Sequence, residues 1–129
     1  MRLRRYLSRV YDTIHIRQEI TILSFEVEEL IPNQEGSIKI RLQFWDRSQL
    51  QIEESLRSQG SILIKATYSY HYQDANNNLI FRYDNAPHHP HIRTYPHHKH
   101  TTQGIIDAKP PDITDILKEI DALLYNNAG

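Results

Sequence analysis

SILIKATYSYHYQDANNNLIFRYD, residues 61–84, consists of two runs of alternating apolar and polar side chains joined by a polar turn. Alternation with a period of two is typical of β-strands. The joining residues 73–78, QDANNN, are rich in Asn and Asp, which favour turns because their side chains hydrogen-bond to the nearby backbone. The stretch therefore predicts an antiparallel hairpin.

The facing of the side chains in this hairpin depends on the length of its loop. A loop of two or four residues puts these residues on one face: Tyr68, Tyr70, Tyr72, Leu79, Phe81 and Tyr83. Strict alternation adds Ile62, Ile64 and Ala66 to that face. His71 and Arg82 are then expected together on the opposite face.

Upstream of the hairpin, the periodicity changes from helical to extended. Apolar residues recur at helical spacing in residues 2–14, which predicts a short amphipathic helix. Alternation around residues 23–28, 37–44 and 49–53 predicts three strands, and Pro, Asn and Gly in residues 31–37 predict a turn between the first two.

Downstream, residues 85–109 show no regular spacing of apolar residues, and Pro110 and Pro111 follow. Asp112 is then a candidate N-cap, and Asp115 places negative charge in the first helical turn. An apolar stripe of three turns follows, which predicts a docked C-terminal helix. The sequence as a whole predicts one α+β domain of residues 1–129: an N-terminal helix, an antiparallel meander of about five strands, an ordered His-rich loop and a C-terminal amphipathic helix.

Composition excludes several classes of protein. The chain has no cysteine, which rules out disulfides and thiolate metal sites. It has no run of eighteen apolar residues and no signal-peptide core after its basic start, so a cytoplasmic protein without a membrane span is expected. The formal net charge is −1 with neutral histidines, so charge alone does not indicate nucleic-acid binding.

Six of the eight histidines lie between His88 and His100, and this density calls for a functional explanation. One explanation is a divalent metal, since imidazoles with a carboxylate suit zinc, nickel or iron. A His-x-His pair in extended chain presents both rings on one side, which fits 89/91 and 98/100. The candidate ligands are His88, His89, His98 and His100, but carboxylates are scarce nearby.

A second explanation is acid–base catalysis without a metal. Histidine can take or give a proton near neutral pH, and Arg82, Arg93 and Lys99 could neutralise a phosphate. The candidate catalytic residues are His88, His89, His97, His98 and His100. The candidate substrate-binding residues are Tyr70, His71, Arg82, Tyr83, Asp84 and Lys99. A third explanation is structural: histidines next to prolines often cap turns or remain solvated, and the tyrosines of the hairpin suit core packing.

YSYHYQDANNNLIFRYDNAPHHP (68–90) followed by PHHKH (96–100) resembles the TumE family, small toxins of bacterial and archaeal toxin–antitoxin pairs. The resemblance is close over residues 66–101, and His91 and Arg93 lie in a variable gap between its two halves. The matching positions are Tyr70, Tyr72, Gln73, Phe81, Arg82, Tyr83, Asp84, Asn85, Pro87, His88, His89, Pro96, His97, His98, Lys99 and His100.

The resemblance implies a growth-inhibiting protein that is neutralised by a DNA-binding antitoxin encoded beside it. By analogy with other toxins of this size, RNA is the expected target. The leading hypothesis is a metal-independent ribonuclease with no cofactor, in which His88 or His89 pairs with His97, His98 or His100 as base and acid. Arg82 and Lys99 would hold the phosphate, and Tyr83 and Asp84 would orient the histidines.

Two alternatives to this hypothesis remain open. The His-rich segment could instead serve a non-enzymatic module that binds a protein or a metal, or a metal-dependent nuclease. An unpaired sheet edge would also allow a homodimer.

Overall fold

The computed structural model describes residues 2–125, in which an antiparallel sheet carries two helices. The predicted domain also includes residue 1 and residues 126–129, which lie outside the described part. The elements in chain order are α1 (Leu3–His15), β1 (Thr21–Ile31), β2 (Glu35–Gln43), β3 (Gln49–Gln59), β4 (Ile62–Gln73), β5 (Leu79–Asp84), β6 (His98–Thr101), β7 (Gly104–Asp107) and α2 (Ile113–Tyr125). Each strand pairs with its neighbour in sequence, so the sheet is a seven-stranded meander. The predicted α+β class is confirmed, with two more strands than expected.

Both helices lie on the same face of the sheet. Helix α1 buries Leu3, Tyr6, Val10 and Ile14, and helix α2 buries Ile113, Ile116, Leu117 and Ile120. These side chains join one core with the inward residues of the sheet. The opposite face carries the outward residues of the strands, and neither helix packs on it. We call it the helix-free face. No helix among residues 2–125 is long and apolar enough to cross a membrane.

The C-terminal helix begins as the sequence predicts. The backbone N–H of Asp115 donates to Asp112 Oδ1 at 2.9 Å, and the backbone N–H of Asp112 donates to Asp115 Oδ2 at 3.1 Å. Two N–H groups at the start of the helix therefore have side-chain acceptors, which defines its first turn.

A bulge in β4 overturns the predicted facing of its first half. Ser55 pairs with Thr67, but Leu56 pairs with Lys65, so Ala66 is the extra residue. An extra residue reverses the alternation. Lys65 therefore points towards the core, and Ile64 does not share the face of the tyrosines.

The predicted facing of the rest of the hairpin is confirmed, with one exception. Tyr70 pairs with Tyr83, Tyr72 with Phe81 and His71 with Arg82, so the tyrosines share a face with Phe81 and Tyr83, and His71 lies opposite them with Arg82. A second register shift follows Tyr72. It makes Leu79 the partner of Gln73, which places Leu79 on the side opposite the tyrosines, contrary to the prediction.

The prediction of an ordered loop throughout the His-rich segment is wrong in its second half. Residues 98–101 and 104–107 form strands β6 and β7, which extend the sheet beyond β5. The sequence HKHT carries no apolar alternation, because on one side its residues form a polar cluster and on the other a lysine covers the sheet. Residues 85–97 remain an ordered loop, with Ile92 buried.

Candidate active site

Strand register brings together polar side chains that are distant in sequence. His71 on β4 pairs with Arg82 on β5, and Arg82 pairs with His100 on β6. The neighbouring row joins Asp84 on β5 to His98 on β6. Because alternate residues of a strand point to the same side, all five lie on the helix-free face.

Asp84 and two histidines make three short contacts with one another. His98 Nε2 lies 3.0 Å from Asp84 Oδ1, and His100 Nε2 lies 3.3 Å from Asp84 Oδ2. The two Nε2 atoms are 3.1 Å apart. The side chains of Asp84 and His98 are 7% and 3% exposed, whereas that of His100 is 27% exposed. The group is therefore closed on one side and reaches solvent through His100.

Neighbouring groups hold this arrangement in place. The backbone N–H of Ala86 donates to Asp84 Oδ1 at 2.9 Å, and Arg82 Nε donates to Asp84 Oδ2 at 3.0 Å. His98 Nδ1 lies 2.9 Å from the carbonyl oxygen of Pro96. A carbonyl oxygen only accepts, so Nδ1 carries the proton, and the Nε2 of a neutral His98 presents a lone pair to the cluster.

Arg82 lies between two imidazoles on the helix-free face. Its Nη1 is 3.3 Å from His71 Nδ1, and its side chain remains 39% exposed. Neighbouring strands are about 4.8 Å apart, so His71 and His100, two strands from each other, have Cα atoms roughly 10 Å apart. A guanidinium with an imidazole on either side can hold an anion between two proton-transfer groups.

The third imidazole of the cluster comes from the loop. The ring centroid of His89 is 4.9 Å from that of His98 and 5.9 Å from that of His100. The side chain of Asn85 anchors the start of this loop, because its Nδ2 donates to Ala66 O and its Oδ1 accepts from a backbone N–H. We refer to Asp84, His89, His98 and His100 as the His–Asp cluster.

The surroundings shift the pKa values of several of these groups. Burial lowers the pKa of His71, and the charge of Arg82 lowers it further. Burial also lowers the pKa of His100, although the Asp84 carboxylate acts in the opposite direction. Burial opposes ionisation of Asp84, but the Ala86 N–H, Arg82 and the charge of His98 leave the pKa of Asp84 below its ordinary value.

The cluster has the donor set of a metal site. One ring nitrogen from each of His89, His98 and His100 lies within 4.8 Å of the other two. Asp84 adds a carboxylate oxygen next to two of them. Three imidazoles and a carboxylate suit zinc and similar divalent ions.

Three residues of the predicted substrate-binding set point to the other face of the sheet. Tyr70 OH donates to the buried Glu54 carboxylate. Tyr83 OH donates to Glu119 Oε1 at 2.5 Å, and Lys99 Nζ donates to Glu119 Oε2 at 2.7 Å. Burial and the bond to Glu119 raise the pKa of Tyr83. These residues attach helix α2 and the core to the sheet, and they do not line the helix-free face.

Two of the predicted catalytic histidines lie apart from the cluster. His88 is exposed. His97 stacks on Tyr68 with ring centroids 5.8 Å apart, and its Nδ1 is 3.0 Å from Tyr68 OH. Burial lowers the pKa of His97. Arg93, which lies in the variable gap of the motif, forms an exposed ion pair with Asp107.

The remaining predicted residues are brought together: His71, Arg82, Asp84, His89, His98 and His100. The same-side prediction for the 98/100 pair is confirmed, because both lie on an extended strand. The sequence did not indicate the supporting groups, Pro96 O and Ala86 N–H. Backbone groups carry no sequence signal, although a short-range turn after Asp84 could have been inferred from the Asn-Ala-Pro that follows.

Comparison with known protein families finds one match that covers most of the chain. A family model described as Toxin TumE matches residues 12–124, which include the whole sheet, the His–Asp cluster and nearly all of α2. No curated protein and no solved structure matches the chain.

Proposed function

Because the chain belongs to the TumE toxin family, we propose that it stops growth by cleaving RNA on the helix-free face, at Arg82 and the His–Asp cluster. The observation that carries this proposal is the convergence of three imidazoles and a carboxylate next to a partly exposed arginine. Groups that transfer protons and groups that neutralise phosphate charge are the requirements of phosphodiester cleavage.

Arg82 is the phosphate-binding residue in this proposal. Asp84 accepts from its Nε, which orients the guanidinium, and its 39% exposed side chain can reach a ligand in solvent. Guanidinium groups bind phosphate through several parallel hydrogen bonds. Lys99, the other cation proposed from the sequence, donates to Glu119 on the opposite face and has no such role.

The metal-independent mechanism needs an acid and a base on opposite sides of the phosphorus, since attacking and leaving oxygens are roughly in line. His71 and His100 fit this requirement because they flank Arg82. His98 does not fit it as a partner of His100, because their Nε2 atoms converge to 3.1 Å. Metal-dependent cleavage is a second candidate, supported by that same convergence.

A labelled single-stranded RNA incubated with untagged protein tests the function. We expect cleavage by the wild type and a loss of at least tenfold in Arg82→Gln and His71→Asn, since one charge-assisted bond or proton-transfer group contributes about that much or more. His88→Asn is the matched control and should cleave normally. Products that end in a 2′,3′-cyclic phosphate would identify the 2′-hydroxyl as the nucleophile.

Two results would contradict the proposal. RNA that stays intact with and without added divalent ions, while the same protein stops growth, would exclude cleavage as the cause. An ion retained in stoichiometric amount without any turnover would favour the alternative of a non-enzymatic binding module.

An antitoxin is the partner of a toxin of this family. We propose that it is a DNA-binding protein encoded beside the toxin, and that an acidic segment of it covers Arg82 and the exposed side of His100. The charge of Arg82 and the exposure of both residues support this site of inhibition. Arg82→Glu should then weaken the complex, which a pull-down with the neighbouring gene product can measure.

A further inference from the structure

We propose that the His–Asp cluster binds one divalent transition-metal ion of the zinc class, with Asp84, His89, His98 and His100 as ligands. The binding site is argued from the cluster alone. Only the role of the ion in cleavage rests on the proposed function, and there on its metal-dependent form, because His100 cannot bind the ion through Nε2 and transfer a proton at the same atom.

The first argument is a count of protons in the cluster. His98 Nδ1 carries its proton towards Pro96 O, so the Nε2 of a neutral His98 is a lone pair. With both rings neutral, a proton on His100 Nε2 is the only one available for three contacts of 3.0–3.3 Å. At least one contact then joins two lone pairs, which repel unless an additional proton or a metal cation lies between them.

The second argument is distance. Ligand atoms about 2.0–2.1 Å from a tetrahedral zinc ion are separated from one another by roughly 3.3 Å. The three contacts between Asp84, His98 and His100 measure 3.0, 3.1 and 3.3 Å. The spacing of these atoms is therefore close to that of ligands around one ion, although Asp84 contacts His98 through Oδ1 and His100 through Oδ2. A ring nitrogen of His89, in the loop, lies within 4.8 Å of those of His98 and His100.

The third argument is the set of hydrogen bonds behind the ligands. A metal-binding histidine usually donates its other ring N–H to a carbonyl or carboxylate, as His98 does to Pro96 O. Asp84 accepts from the Ala86 N–H and from Arg82, which orient its oxygens. These bonds fix the orientation of the side chains, as outer hydrogen bonds do for metal ligands.

The donor set also indicates the class of ion. Magnesium and calcium prefer oxygen ligands, whereas three nitrogens and one oxygen suit zinc, nickel, cobalt or iron. The exposed side of His100 leaves access from solvent. An ion there would lie next to Arg82, where its charge would add to that of the guanidinium in binding a phosphate.

The test uses full-length protein without a polyhistidine tag, stripped with a chelator and dialysed against zinc chloride. We expect one zinc per chain by elemental analysis, and an absorption spectrum of tetrahedral cobalt when cobalt chloride replaces zinc. His100→Gln and His89→Gln should weaken binding by at least tenfold, because even the groups that orient metal ligands contribute 10- to 100-fold. His88→Gln, an exposed histidine outside the cluster, should bind as the wild type does.

His89 lies in the loop, so His89→Gln should fold normally. This variant therefore tests the site even where substitution of the buried His98 or of Asp84 prevents folding. No retained zinc, or binding that is unchanged in His100→Gln and His89→Gln, would overturn the metal site. RNA cleavage at full rate in protein that retains no ion would overturn the role of the ion in cleavage and leave the proposed function intact. Stoichiometric zinc without RNA cleavage would support the site and count against the function.

Discussion

Arg82 and Lys99 are cations of the same sequence motif, but the sheet places them on opposite faces, which leads to opposite predictions. Arg82→Gln removes a cation from the helix-free face, where it contacts Asp84 at 3.0 Å and His71 at 3.3 Å. Lys99→Gln removes a cation that donates to Glu119 at 2.7 Å on the helix side. Both residues lie in regular strands, so glutamine should not change the backbone.

The expected magnitudes follow from these environments. A hydrogen bond to a charged group contributes about 1.5–3 kcal/mol, so loss of a phosphate contact in Arg82→Gln should lower kcat/KM for RNA roughly 10- to 150-fold. Its ion pair is partly exposed, so unfolding free energy should fall by only about 1 kcal/mol. Lys99→Gln should leave kcat/KM unchanged. Its side chain and that of Glu119 are 20% and 31% exposed, so it should also lower stability by about 1 kcal/mol.

Urea denaturation measures the stability of each variant, and RNA cleavage and growth after induced expression measure its activity. Arg93→Gln is the matched control, because this arginine is 85% exposed and lies outside the cluster. We expect Arg93→Gln to retain both stability and toxicity. If Lys99→Gln abolished toxicity at unchanged stability while Arg82→Gln remained toxic, the assignment of the site to the helix-free face would be refuted.

Three further predictions concern stability. Lys65→Met removes the cation 3.1 Å from the fully buried Glu54 carboxylate. The free energy of unfolding, measured by urea denaturation, should fall by about 2–3 kcal/mol. An unchanged free energy of unfolding would contradict this prediction. Asp112→Ala removes a helix cap and should cost about 1 kcal/mol in the same assay, whereas Asp112→Asn, which keeps an acceptor, should cost less. The pKa of His71 is lower in the folded protein than the value of about 6.5 in the unfolded chain. The contribution of His71 to folding stability is therefore fully present above about pH 6.5 and is lost as the pH falls below this value. The urea midpoint in chelator should therefore drop between about pH 7.5 and about pH 5.5, and less in His71→Asn; an equal drop would contradict the prediction.

The sequence determined the elements whose patterns are local. Amphipathic spacing in residues 2–14 and after Asp112 was sufficient for both helices, and alternation was sufficient for β1 to β5. The shared face of His71 and Arg82 also followed from the sequence, since the facing of a hairpin is set by its loop. The residues that the sheet brings together on the helix-free face were all among the sequence candidates, because histidine, arginine and aspartate are the residue types that the proposed chemistry requires.

Tertiary structure decided which of these candidates lie together. Strand β6 has no apolar alternation, and only its pairing with β5 puts His98 and His100 against Asp84 and directs Lys99 to the other face. The bulge at Ala66, which turns Lys65 towards the core, is likewise a property of the pairing between β3 and β4. A sequence records the chemistry of each side chain, but the register between strands sets which side chains meet, and register depends on the whole sheet.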